Sequence, residues 1–566
     1  MKKWLIGGLL VALVGVSAGV YFYFRGTEKH LQLIPKNAMV VGSIDYKSLM
    51  DKSDAGKLKD LEWFKAYQKT KDDAFKSEKD KNLKEVFDNP LSCGVNIMSD
   101  LFYYAAPFEE STIGALVFDI NSESKFEATV KKLSPNSKIE GGKGFKAIYQ
   151  GSSTALGWNS TGGIFVFIKN RNYDYEGVDS TAIHFLAASF ARTKEESILS
   201  NKYFQEYNKG KKDLSLFLNF GEIANFSTKM SDDPMTAMLT GSLSGQFKDM
   251  YSWMNLDFQD NRVLLTTQVR SDNPDFEKLA MLKKDGISDL HAKCITNKDV
   301  YALMAVAVDP AKLFEYYEKV PTIKDGISTA AVLIGMNSEE LKKLFGGEFS
   351  IALVDFKAPA AEPVSEATGK KSSEESESDE YADLDEYYEA PRNPLDDYPM
   401  PVFTCNFTSN NKDGLKKLIE KYMPKGEAPY YSFPVSSKLT LYMVENKDGF
   451  TVMNDQTLAE TIAKSGQLAD LPANVKDLVK GKASAVYMDM NVEHYPLALR
   501  TSMANSMGEA NYKAFNDYMK LFKDVTGSGT QTSSELALNL NDGKGNSLYR
   551  ILAQIDIVYK ALNPKQ

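Results

Sequence analysis

Cysteine and histidine are scarce in this chain of 566 residues, with only three of the first and four of the second. Three cysteines, Cys93, Cys294 and Cys405, cannot make a disulfide framework. Their apolar and β-prone neighbours mark them as small core residues. His30, His184, His291 and His494 stand far apart in sequence, without the spacing of a zinc site. No glycine-rich cofactor loop is complete: Gly141-Gly142-Lys143-Gly144 lacks both the further glycine of a dinucleotide loop and the Lys-Ser/Thr ending of a P-loop. Gly241-Ser242-Leu243-Ser244-Gly245 lacks the G-x-S-x-G spacing of a hydrolase nucleophile. Basic excess is missing as well. The net charge is −9, but residues 358–399 hold 13 acidic and 3 basic residues, and the remainder is within one charge of neutral. That balance argues against nucleic acid as a partner. On these grounds neither a metal nor a cofactor is expected.

Long apolar runs are also missing, with one exception. After Met1-Lys2-Lys3 come 21 uncharged residues, Trp4 to Phe24. As a helix this run would be roughly 31 Å long, enough to cross a hydrocarbon core of about 30 Å. Trp4 and Tyr21-Phe22-Tyr23-Phe24 place aromatic rings at its two ends. The pattern predicts a transmembrane anchor over 1–24, a juxtamembrane segment over 25–35 and the remaining mass on the extracytoplasmic side. Val16-Ser17-Ala18 offers the rival reading of a cleaved signal peptide. Gly15 and Gly19 form a small-x-x-x-small pair that would let two membrane helices approach closely, although such residues are common in membrane helices anyway.

The rest of the sequence has a repeated rhythm. An apolar strand ending in Asp runs into a helix at Ala38–Asp45 and again at Val300–Asp309, where Pro310 fits the first helical turn. Ile113–Asp119 and Val402–Phe407 start second strand–helix units, and Leu214–Asn219 and Ala485–Asp489 start third ones. Each half then closes on paired strands, Ser252–Phe258 with Val263–Val269 and Glu535–Leu540 with Leu548–Ile555. The expected fold is α+β: two tandem related domains, 36–292 and 298–566, each a mostly antiparallel sheet with helices packed on one face, preceded by a single transmembrane helix. Within the second, 358–399 reads as a disordered acidic insertion, because its composition cannot bury enough apolar surface to offset chain entropy. Asp379–Glu389 lacks the ligand order of a calcium loop.

Four aspartates, Asp45, Asp119, Asp309 and Asp489, end strands. Paired acids in such places could hydrolyse glycosidic bonds. The same position is where a helix needs an N-cap, and four equivalent uses point to capping.

The run Leu33-Ile34-Pro35-Lys36-Asn37-Ala38-Met39-Val40-Val41, followed by Ile44-Asp45 and Leu49, resembles the opening of an uncharacterised family of Bacteroidetes envelope proteins. The resemblance implies an exported chain with a periplasmic face and carries over no functional residue. It also gives meaning to Asp179-Ser180-Thr181, which matches a short O-glycosylation acceptor pattern of such bacteria, with Ser180 as the acceptor. The alternative is that Ser180 or Asp179 caps the helix expected from Ala182. The resulting expectation is a membrane-anchored periplasmic binding or scaffold protein of the cell envelope, not an enzyme. Its partners would be the membrane, through the N-terminal helix, and an envelope protein or lipid ligand. The alternative is a carboxylate-based hydrolase acting on envelope glycans. A cleft with two close acids would favour the hydrolase, and a long apolar groove between sheet and helices would favour a lipid or lipoprotein binder.

Overall fold

A computed structural model describes residues 29–75, 81–109, 111–150, 154–169, 178–230, 247–273, 276, 280–288, 299–357, 399–423, 426–436, 439–465 and 471–563. The fold is α+β with a large antiparallel sheet of 19 strands. Ten strands come from the first half of the chain: β1 (Val40–Ile44), β2 (Leu101–Phe108), β3 (Ser111–Phe118), β4 (Glu140–Gly142), β5 (Phe145–Gln150), β6 (Thr154–Asn159), β7 (Gly162–Lys169), β8 (Leu214–Asn219), β9 (Met250–Gln259) and β10 (Arg262–Ser271). Nine come from the second: β11 (Ala302–Ala307), β12 (Glu348–Lys357), β13 (Met400–Thr408), β14 (Tyr431–Pro434), β15 (Thr440–Glu445), β16 (Gly449–Met453), β17 (Ser484–Asp489), β18 (Phe522–Gly529) and β19 (Ser533–Leu540).

The pairings give one spatial order. From one edge it runs β4-β5-β6-β7-β3-β2-β1-β8-β9-β10, and it continues β19-β18-β17-β11-β12-β13-β16-β15-β14 to the other. Every neighbouring pair is antiparallel. Read inward from its own edge, each half has the same connectivity apart from β4, an extra edge strand in the first half, with β1, β2 and β3 matched by β11, β12 and β13. The halves meet where β10 pairs with β19, from Arg262 opposite Asn539 to Gln268 opposite Ser533.

Alternation along the strands sorts side chains onto two faces. On one face Val41, Tyr104, Phe217 and Trp253 form a core with Phe185 and Leu186 of the helix Val178–Ala191 and with Phe204 and Tyr207 of the helix Lys202–Gly210. On the other, Leu156, Trp158 and Phe165 pack against Phe126 and Val130 of the helix Glu123–Leu133. Phe126 meets Trp158 edge-on at 5.6 Å.

Several expectations require correction. Among the described residues no helix is long and apolar enough to cross a membrane. The longest, Ser547–Leu562, has 16 residues, about 24 Å against the roughly 30 Å a crossing needs. That overturns the single-pass membrane architecture and the localisation built on it. The run Trp4–Phe24, with Gly15 and Gly19, lies outside the described residues. The sheets of the two halves are also not separate, since the β10–β19 ladder makes them continuous, and helices pack on both faces rather than one. Finally, Leu548–Ile555 is helix, not strand. Leu548, Ile551, Leu552 and Ile555 recur at helical spacing, and the Asn546 side chain caps the start by accepting from the Leu548 amide at 3.0 Å. In its place β18 completes the closing hairpin with β19.

Candidate functional site

Strand register lines up one apolar side chain per strand across the sheet. Starting on β16, the row reads Val452, Cys405, Ile351, Met304, Val486, Gly527, Leu536, Leu265, Leu256, Leu214, Ile44 and Leu101. At about 4.8 Å between strands it is on the order of 50 Å long. Gly527 is its one break in side-chain volume. A parallel row of Phe403, Leu353, Ala302, Met488, Val525, Leu538, Val263 and Phe258 lies beside it. Neither row contains a charged or hydroxyl side chain.

The two ends of this surface are filled differently. At the first-half end, Leu101 and Tyr46 pack against the cluster around Phe126 and Phe165. The space left between Ile44, Tyr46, Val95, Ile97, Leu101 and Phe118 is only about 30 Å³. In the second half the surface stays open: Met304 is 48%, Met488 45%, Leu536 42% and Val486 38% exposed. The helices that follow β11 and β17 give little cover. Pro310–Tyr317, Ser338–Lys343 and Leu497–Met507 have no buried residue, and Pro321–Ile334 has only Ala331; Glu509–Met519, which buries Ala514, covers only the β19 end, where Tyr518 and Met519 pack beside Leu538. Leu497, at the start of a helix that lies alongside β12, is itself 70% exposed. Exposed apolar side chains gathered in neighbouring strand positions in this way are uncommon on a folded protein.

Burial pushes the Cys405 thiol up to about 11. On the opposite face of β17, in the core around Leu303 and Val475, burial raises the Tyr487 phenol to about 12, and Tyr495, stacked on Tyr301, is raised to about 12 as well.

A family model described as "Domain of unknown function (DUF4836)" matches residues 30–371. The chain belongs to that family. The DUF4836 match spans the first half and continues past β12. No curated protein matches the sequence. Among solved structures, "Structure of crystal form IV of TP0453" aligns at 12% identity over 42% of this chain and 79% of that one, with a TM-score of 0.23. "Structure of crystal form I of TP0453" aligns at 11% identity over 44% and 81%, with a TM-score of 0.22. Both likenesses are too slight to bear on the fold.

In this DUF4836 chain the strand-end aspartates serve local structure in different ways. Asp45 accepts from the Ser48 amide at 2.8 Å, and Asp309 accepts from the Ala311 and Lys312 amides, so both are N-caps. Asp119 is not a cap: it holds the Asn96 side chain at 2.8 Å, while Ser122 caps the next helix. Asp489 accepts from the Asn491 amide and pairs with His494 Nδ1 at 2.7 Å, which orients an exposed imidazole.

A close pair of carboxylates does occur, away from these positions. Lys52 Nζ lies 2.7 Å from both Asp213 and Asp257. Asp213 also accepts from the Ser48 hydroxyl and the Phe258 amide. Both acids are thus committed to fastening the helix Tyr46–Ser53 to β8 and β9. Ser180 lies in the first turn of Val178–Ala191, a helix that begins four residues before the expected Ala182. The open apolar row escaped the sequence reading because alternation alone shows an apolar face without showing what covers it.

Proposed function

We propose that this protein is a non-catalytic binding protein that takes an apolar chain, of the kind carried by lipids, on the sheet surface from β13 to β19. One observation carries the reading: Met304, Val486 and Leu536 stand in one row, Met488 beside them, and all four stay about two-fifths exposed under helices that bury almost nothing. Apolar surface left in water costs about 25 cal/mol per Å², and each methylene of a bound chain contributes about 0.8 kcal/mol on leaving water. The two rows offer no polar group to a head group, so recognition would rest on chain length and shape. The hydrogen bonding that occupies Asp45, Asp309, Asp213 and Asp257 further supports a non-catalytic role.

The test is saturable binding of a fluorescent polyene fatty acid. Met304→Glu and Val486→Glu, made singly because the two side chains are cross-strand neighbours, should each weaken binding at least tenfold with the thermal midpoint unchanged. Absence of saturable binding, or wild-type affinity in both variants, overturns the proposal.

A further inference from the structure

The helix Pro321–Ile334 ends in an apolar tip that belongs to no core. Val332 and Leu333 are each 75% exposed, and Ile323 on the same helix is 37% exposed. The sequence explains the tip. From Gly326 to Ser338 no residue is charged, and Ala331 alone on the helix is buried. Gly335 then stops the helix in the left-handed region at φ 77°, with its amide bonded to the Val332 carbonyl. A glycine suits this stop because other residues pay a steric penalty there. The chain therefore turns away after Ile334 and leaves Val332 and Leu333 exposed in the last turn of the helix.

The surroundings of the tip have a consistent chemistry. Lys421 Nζ comes within 3.9 Å of where a Cβ on Gly335 would stand. The same ammonium lies 5.2 Å over the ring of Tyr422, which is 56% exposed. Lys417, one turn back on the helix Lys412–Tyr422, is exposed too. The carboxylates of the following helix are engaged locally: Glu339 with Lys342 at 2.6 Å, and Glu340 with the Asn337 amide in a capping box. Lys342 also holds Glu318 at 2.7 Å.

We infer that this tip is a docking point for a lipid bilayer containing anionic phospholipid. Two adjacent aliphatic side chains at the helix end enter the acyl region, Tyr422 lies at the level of the head groups, and Lys421 meets their negative charge. A protein partner fits less well, because a specific interface buries on the order of 1,000 Å² or more with matched shape. A bilayer is fluid and asks for no shape match. The inference holds whether or not the sheet surface binds an acyl chain.

The test is Leu333→Trp in the full-length chain, its emission read as the difference from wild type on vesicles whose acyl chains are brominated. Because the signal comes from position 333 alone, it reports insertion there, however the rest of the chain meets the vesicle. With one-third anionic lipid the added indole should be quenched and blue-shifted. The effect should fall severalfold on purely zwitterionic vesicles, and as far in a Leu333→Trp, Lys421→Glu double variant. An added indole with water-like emission on anionic vesicles overturns the proposal, as does equal quenching on both lipid mixtures. Concentration-dependent self-association abolished by Leu333→Asp would overturn it in favour of a second copy of the chain. Fatty-acid binding should persist in Leu333→Asp, which separates failure here from failure of the acyl-chain reading.

Discussion

Leu265 on β10 stands directly opposite Leu536 on β19, and that pair sits on the seam where the two halves of the chain become one sheet. Leu536 also faces Gly527 on β18, so its strand is paired on both sides. Proline in such a strand removes a ladder hydrogen bond and has no place to put its ring. Leu536→Pro should cost more than about 3 kcal/mol in denaturant unfolding. Leu536→Glu, on a side chain already 42% exposed, should cost far less and act on ligand binding instead. Equal midpoints for Leu536→Pro and wild type would show that the seam does not form in solution.

Lys52 is the cation that makes the burial of Asp213 and Asp257 tolerable, at 1% and 8% exposure. Burial alone would raise the Asp257 carboxyl, but hydrogen bonds from Gln259 and Lys52 hold it below its usual range. Lys52→Met leaves Asp213 without its cation and Asp257 with only Lys212, 3.8 Å away, and should destabilise by about 3 kcal/mol. Adding Asp213→Asn should recover part of that loss. If Lys52→Met is neutral, the triad does not fasten the helix to the sheet.

Which parts of this architecture were legible follows from where the physics is local. The strand–helix steps at Asp45 and Asp309 could be read because an N-cap sits within three residues of the amides it serves. The closing helix was misread because Leu548–Ile555 carries β-prone residues, and its deciding contacts are distant. The Trp63 indole donates to the Leu552 carbonyl, 489 residues away. Continuity across the seam was hidden for the same reason: the partner of Val263 is Leu538, and no local pattern in either strand names the other. The open apolar row was half legible. The sequence marked β11 and β17 as apolar strands, but exposure depends on helices that fail to cover them.

Lys357 ends β12 directly opposite Met400 at the start of β13. The intervening acidic segment, 358–398, lies outside the described residues, but its two attachment points are cross-strand neighbours. A short turn can therefore replace it without moving either strand. Replacing 361–394 with an Asn-Gly linker should leave the thermal midpoint within a few degrees, because changes remote from core and caps usually cost under about 0.5 kcal/mol. A large drop in the midpoint would mean that the segment packs on the fold.

Asp556 fastens the C-terminal helix to the first half by accepting from the Trp63 amide at 3.1 Å and pairing with Lys560 at 2.6 Å. Burial alone would raise its carboxyl, but the bonds from Lys560 and from the Trp63 and Glu62 amides outweigh burial and lower it. A carboxyl lowered on folding contributes stability above its unfolded value of about 3.9, and that contribution is lost as pH falls through the folded value. The stability difference between wild type and Asp556→Asn should therefore be full at pH 6 and shrink below about pH 4. A difference independent of pH would assign the contact to packing rather than charge.

Cys405 gives the most direct view of the apolar row from inside. It lies between Ile351 and Val452, two strands or about 10 Å from Met304, so an extended acyl chain following the row would cross it. Its thiol is raised to about 11, which leaves about one part in a thousand as thiolate at pH 8. Alkylation should then run roughly a hundredfold slower than for an ordinary exposed thiol, because only the thiolate reacts. Peptide mapping separates its signal from Cys93, a buried thiol that donates to the Pro90 carbonyl. Adding a long-chain fatty acid should slow Cys405 further by at least several fold, and Met304→Glu should abolish that protection. Unchanged alkylation at saturating fatty acid would place the bound chain elsewhere, because a ligand lying on the row must lie over the one thiol in it.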